Sequence, residues 1–199
     1  MRKLTALRRR ANDRSRFRSG FIKIASESTV RGSPQEPVRG AAAAAASTGL
    51  ALEVHTEKGE DVEDIVTFLT DLGVPPTQLV LCHMDKRPDL ALHCELARTG
   101  VVLEYDTFFR RKYEPEANLW PLIGEMPSAG LSDSLALATD MAEAGLWQNL
   151  GGGPGLCALV TDVVPRLQAL GLSERGIRGL VGGNIARRLA GSEKPSSRS

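Results

Sequence analysis

The sequence predicts an α/β fold built on a parallel sheet. Five short runs rich in apolar and β-branched residues alternate with stretches of helix-forming composition, and three of those stretches close on a glycine. Strand, helix, glycine and next strand is the sequence form of parallel βα units. The first run, FIKIA (21–25), precedes PQEPVRGAAAAAASTG, whose six alanines at 41–46 read as helix because alanine has the highest helix propensity. The second, LALEVHT (50–56), is followed by EDVEDIVTFLTDLG, in which Val62, Ile65, Val66, Leu69 and Leu72 recur at three- and four-residue steps. That spacing makes one apolar face, and Glu60, Asp61, Glu63, Asp64 and Asp71 form the polar one. The third, QLVLCH (78–83), leads into RPDLALHCELARTG, and VVLEYD (101–106) and LALATD (135–140) complete the set. Gly49, Gly73 and Gly100 stand near the C-caps of the three helices. A Gly-rich loop, a helix from about Gly155 to Leu170, and two short helices, SERGIRGLVG and NIARRLA, follow.

The chain has 199 residues, of which 42% are hydrophobic and 25% charged, enough for one sizeable core. Charge is unevenly placed: residues 1–20 carry eight Arg or Lys against Asp13 alone, and the remainder has 17 basic against 23 acidic side chains. No apolar run approaches the roughly 18 residues that span a bilayer, and none follows the basic start as a secretory signal requires. Cys82, Cys94 and Cys157 form no metal-ligand spacing and cannot all pair, which fits a reducing, cytoplasmic setting. The leader, residues 1–18, has several readings: a targeting segment, a nucleic-acid or membrane-surface patch, a solvated helix, or a chance start unlike the rest. With Phe17 as its lone aromatic, the solvated reading is preferred, so neither nucleic acid nor membrane is expected as a partner. Residues 191–199 read as a disordered tail.

Polar residues fall where an apolar strand ends. Lys23 lies within the first run, His55 and His83 close the second and third, and Asp106 and Asp140 the fourth and fifth. The C-terminal ends of parallel strands converge on one rim, where α/β enzymes place their chemistry. Imidazoles, carboxylates and a lysine gathered there point to a borderline divalent metal such as zinc. Each residue also has a plainer reading. A histidine at a strand end is commonly structural, and Lys23 can extend its amine from the sheet edge. Asp106 can cap a loop, and Asp140 can cap a helix with Glu143 at capping-box spacing. His93 reads as structural or exposed. Cys82, adjacent to His83, is expected on the opposite face, in the core.

The segments GFIKIA, ALEVHTEKGED, QLVLCHMD, LALATDMAEAGLW with GGGPGL, and GGNIARRLA together resemble the phosphotriesterase-like branch of the amidohydrolase superfamily, over about residues 19–190. The resemblance implies a TIM-type (β/α)8 barrel, of which this chain would supply strands four to eight. It also implies a binuclear metal centre in which Lys23, carboxylated by carbon dioxide, bridges the ions. His55, His83 and Asp140 would be further ligands, and Asp140 would accept the proton. Tyr105, Asp106, Phe108, Arg110 and Trp147 would line the substrate pocket. The implied activity is hydrolysis of an ester, lactone or phosphotriester by a metal-bridging hydroxide. A buried lysine, its pKa lowered by burial, would form the carbamate as a surrogate carboxylate.

The His-x-His pair that the family places on its first strand does not occur in this sequence. Two readings of different class follow: a metal-dependent hydrolase, and a non-catalytic fragment or pseudoenzyme acting as an interaction domain. A partial barrel leaves two open edges, which a homodimer would cover.

Overall fold

The computed structural model describes residues 20–26 and 35–190; the basic leader and the tail lie outside the described residues. Five strands form one parallel sheet in sequence order: β1 (Phe21–Ser26), β2 (Ala51–Thr56), β3 (Leu79–Cys82), β4 (Val102–Tyr105) and β5 (Leu135–Leu137). The helices between them are α1 (Gln35–Thr48), α2 (Val62–Asp71), α3 (Leu90–Arg98) and α4 (Pro115–Ser128). After β5 the chain forms α5 (Val164–Ala169), α6 (Glu174–Arg178) and α7 (Asn184–Ala190), with π-helical turns at Leu159–Val163 and Gly179–Gly183.

The alanine run is helical as expected, and Ala41, Ala42, Ala44 and Ala45 are buried because a methyl side chain lets α1 approach the sheet closely. Helix α2 buries Val62, Ile65, Val66 and Leu69, the stripe read from the sequence. Asp89 caps α3 by accepting a hydrogen bond from the Leu92 amide at 3.1 Å. All three cap glycines take positive φ. The requirement is strictest at Gly100, where φ is +99° and a Cβ would lie 2.9 Å from Thr77 Cγ2.

One helix was not anticipated and one local expectation is corrected. Helix α4 carries Pro121 and Pro127, which obscure its periodicity, yet it buries Leu119, Trp120, Leu122, Ile123 and Met126. Conversely, no helix starts at Asp140. The segment after β5 is a loop with single 3-10 turns at Ala144–Leu146 and Gln148–Leu150, so the capping-box reading does not hold.

Alternation divides the sheet into two chemically distinct faces. Leu52, Val54, Leu79, Leu81, Leu103, Tyr105, Leu135 and Leu137 face the helices and meet Ile65, Leu69, Leu96, Ile123 and Leu167 in the main core. Each fully buried aliphatic side chain there contributes about 1.5–3 kcal/mol. The other face carries Lys23, Glu53, His55, Cys82 and Glu104, over a smaller apolar cluster of Val80, Val102 and Ala136 against which Ile185 of α7 packs. Asn184 fixes α7 beneath β5 by donating to the carbonyls of Ser132 and Leu135 at 2.8 and 2.6 Å. On this inner face β1 is open: Phe21, Lys23 and Ala25 are exposed.

Candidate metal and catalytic site

Strand alternation stops at Cys82. The next residue, His83, has left-handed backbone (φ 64°, ψ 27°) and turns its ring in above the inner face. Asp140, past the end of β5, also has positive φ (34°). Non-glycine residues held in this region are uncommon, and here both carry candidate ligands.

The four strand-end groups form a contiguous set. His55 Nδ1 lies 2.8 Å from His83 Nε2, with the rings edge to face. His83 Nδ1 is 2.6 Å from Asp106 Oδ2 and 3.6 Å from Asp140 Oδ2. One donor atom each from His83, Asp106 and Asp140 all lie within 4.8 Å of one another. Arg110, 8% exposed, holds Asp140 from outside, donating to its backbone carbonyl at 3.0 Å and standing 3.0 Å from its carboxylate. Lys112 and Arg110 share Glu143.

Burial governs the electrostatics. It lowers the pKa of His83, helped by the charge of Lys86, and that of His55, helped by His83 itself. Both rings are thereby kept neutral, the form in which imidazole ligates a metal. Burial, with the charges of Asp85 and Asp140, pushes Asp106 well above the ordinary carboxyl range. Glu104, on the same face, is pushed up to about 8 by burial and by its neighbours Asp106 and Glu53.

His83 Nδ1 and both carboxylate oxygens of Asp106 are buried with no backbone amide, hydroxyl or cationic side chain bonded to them; their polar contacts are their own 2.6 Å approach and the Glu104 carboxyl, which burial keeps protonated and which bonds Asp106. A divalent cation would satisfy all three, and one imidazole with two carboxylates suits zinc, manganese or iron. The residues present therefore fit a metal.

The predicted residues are only partly brought together. His55, His83 and Asp140 meet as expected. Asp106, expected in the substrate pocket, is instead a member of the donor cluster. Lys23 stands apart: its amine is half exposed and ion-paired with Glu53, its register neighbour on β2. Partial burial pulls its pKa down, but the hydrogen bond it donates to Glu53 and the nearby acidic groups outweigh this and the net displacement is upward. The expectation that burial lowers this pKa is thus corrected by Glu53.

Tyr105 is also corrected as a pocket residue. It is fully buried on the helix-facing side, its hydroxyl 2.6 Å from His93 Nδ1. His93 is buried with it, and burial takes its pKa down to about 4. Phe108 is buried in the main core against Trp120. Trp147 lies half-buried in the loop after Asp140, its indole donating to the Met141 carbonyl at 2.8 Å. Cys82 is buried as expected but on the inner face, its thiol donating to Glu53 at 3.4 Å. Alternation from Leu79 and Leu81, which face the helices, puts Cys82 on the inner face with Val80.

Sequence reasoning missed Asp85, Thr107, Glu53 and Glu104. For Asp85 a signal was present, an acidic residue two positions past a strand-end histidine. Glu53 and Glu104 were visible as charges at inward positions of otherwise apolar strands.

The family model described as the phosphotriesterase family matches residues 9–189. An N-acetyltaurine hydrolase of Dictyostelium discoideum is 23% identical over 158 residues, covering 71% of this chain and 41% of its own length. Among solved structures, a lactonase from Listeria monocytogenes aligns with a TM-score of 0.80 at 26% identity, over 89% of this chain and 56% of that one. An organophosphorus hydrolase from Deinococcus radiodurans aligns at 0.71 and 28% identity, over 86% and 56%. This chain thus spans about half the length of these relatives, and its five βα units are the matching part of a TIM-type barrel. With strand order, inner-face polar residues and family match in agreement, the chain belongs to the phosphotriesterase family.

Proposed function

We propose that this chain carries the metal site of a hydrolase acting on small-molecule esters, lactones or phosphotriesters. The observation that supports it most directly is the buried convergence of His83 Nδ1 and the Asp106 and Asp140 carboxylates, all within 4.8 Å of one another and with no backbone amide or hydroxyl bonded to His83 Nδ1 or Asp106. His83, Asp106 and Asp140 would hold the ion, zinc by preference, and His55 would complete the set from the adjoining strand. When bound, the ion supplies electrophilic polarisation of the substrate and acidifies a water.

The chain's own groups do the rest. Asp140 accepts the proton of the attacking water, since its carboxylate borders both the donor cluster and the open rim. Arg110 fixes the orientation of that carboxylate through two contacts, one to its backbone carbonyl and one to the carboxylate itself. Trp147, half-buried in the loop that follows Asp140, would bound the substrate side together with the small exposed part of Arg110. Lys23 would join the site as a carbamate only after its ion pair with Glu53 is broken, because a protonated amine does not react with carbon dioxide. The Cys82, Cys94 and Cys157 thiols are free, in keeping with a cytoplasmic setting, and among the described residues no helix is long and apolar enough to cross a membrane.

The Lys23–Glu53 pair also favours a second reading, a family module without turnover that serves as an interaction domain. A screen with lactone, aryl ester and phosphotriester substrates after zinc and bicarbonate loading separates the two. Zinc-dependent hydrolysis abolished by Asp140→Asn supports the first reading. Zinc uptake without hydrolysis of any class supports the second.

A further inference from the structure

We infer that Asp85 is a positioning residue that sets Asp106 against His83; its consequence for metal binding rests on the function proposed above, whereas its structural part does not. Asp85 sits in the single 3-10 turn (Met84–Lys86) that follows His83 and is fully buried. Its Oδ1 accepts the Asp106 amide at 3.1 Å, and its Oδ2 accepts the Thr107 amide at 3.1 Å and, more closely, the Thr107 hydroxyl. Three donors from two consecutive residues past β4 thus converge on one carboxylate leaving β3.

This arrangement costs a buried charge, which a merely structural contact between two loops does not require. Its geometric result is specific. His83 lies two residues before Asp85 and the carboxylate of Asp106 lies on the residue whose amide Asp85 holds, so a single clamp fixes both partners of the 2.6 Å approach. Charge-assisted bonds of this kind are short and directional, and they set the backbone from which Asp106 projects. Residues that orient ligands in this way commonly carry 10–100-fold in metal affinity.

The test compares the wild-type chain with Asp85→Asn, Thr107→Val and Thr107→Ser. In metal-free protein at pH 8, the ring-nitrogen NMR resonances of His83 are followed, with those of His93 reporting that the fold is intact. Cobalt(II) affinity is then measured by competition with a chromophoric chelator. Asp85→Asn should displace the His83 resonances as far as Asp106→Asn does and weaken cobalt binding 10–100-fold. Thr107→Val should do both to a smaller extent, and Thr107→Ser should match wild type. His83 resonances unmoved in folded Asp85→Asn would overturn the inference; if that variant does not fold, unmoved resonances in Thr107→Val would do so. A wild type that takes up no cobalt, with His83 still displaced by Asp85→Asn, would overturn the metal reading and leave the clamp standing.

Discussion

His93 Nδ1 and the Tyr105 hydroxyl meet at 2.6 Å in the layer between β4 and α3, where neither has access to solvent. The pair shows how one strand serves two chemistries. Tyr105 points into the helix-facing core, while Glu104 and Asp106 on either side of it point to the inner face.

The sign of the pH dependence follows. Burial lowers His93 from 6.5 to about 4, so the unfolded state binds more protons between those values. Its stabilising contribution is therefore complete above about pH 6.5 and is lost as pH falls to 4, on the order of 3 kcal/mol for the full displacement. Thermal unfolding of wild type and His93→Gln between pH 7 and 4.5 should show a steeper fall in Tm for wild type.

Glu104 runs the other way. Its carboxyl is raised from 4.5 to about 8, so the folded state favours the protonated form, and its contribution is present below about pH 4.5 and lost as pH rises through 8. In metal-free protein, Glu104→Gln should leave Tm little changed at pH 5 and raise it at pH 8.5, as followed by circular dichroism.

Much of this architecture is legible in the residues because it depends on local rules. The α2 stripe and the cap glycines follow from helix period and backbone sterics, and four strands lie within the runs read from the sequence while β1 extends one residue beyond its run, to Ser26. Helix α4 was not legible, because Pro121 and Pro127 interrupt its pattern and packing against the sheet decides its fate. Among site residues, strand ends marked His55, His83, Asp106 and Asp140. The part played by Asp106 depends on where the left-handed turn at His83 aims the ring, and the pairing of Lys23 depends on which residue of β2 lies opposite it. Both are tertiary facts that no spacing within one run encodes.

The core and the cap glycine give contrasting magnitudes. Leu81→Ala, in the fully buried centre of β3, should cost about 2–5 kcal/mol in urea unfolding. Gly100→Ala should cost about 1–2 kcal/mol through its positive φ, with the Thr77 contact adding to it. The exposed Val160→Ala should stay within about 0.5 kcal/mol of wild type.

Arg110 tests the orientation of Asp140. Because its guanidinium contacts both the backbone carbonyl and the carboxylate of that residue, Arg110→Lys should not restore what Arg110→Ala loses. In hydrolysis assays both variants should fall by at least about 10-fold in kcat, with smaller changes in KM if Arg110 acts through Asp140 rather than on substrate.

His83 and Asp106, with Asp140 beside them, are arranged to take up a cation. Elemental analysis of protein purified with zinc and bicarbonate, set beside His83→Ala and Asp106→Asn prepared identically, tests it most directly. At least one zinc per wild-type chain, lost from both variants while they remain folded, is the expected result. Wild type with no zinc, or with the same content as its variants, would contradict it.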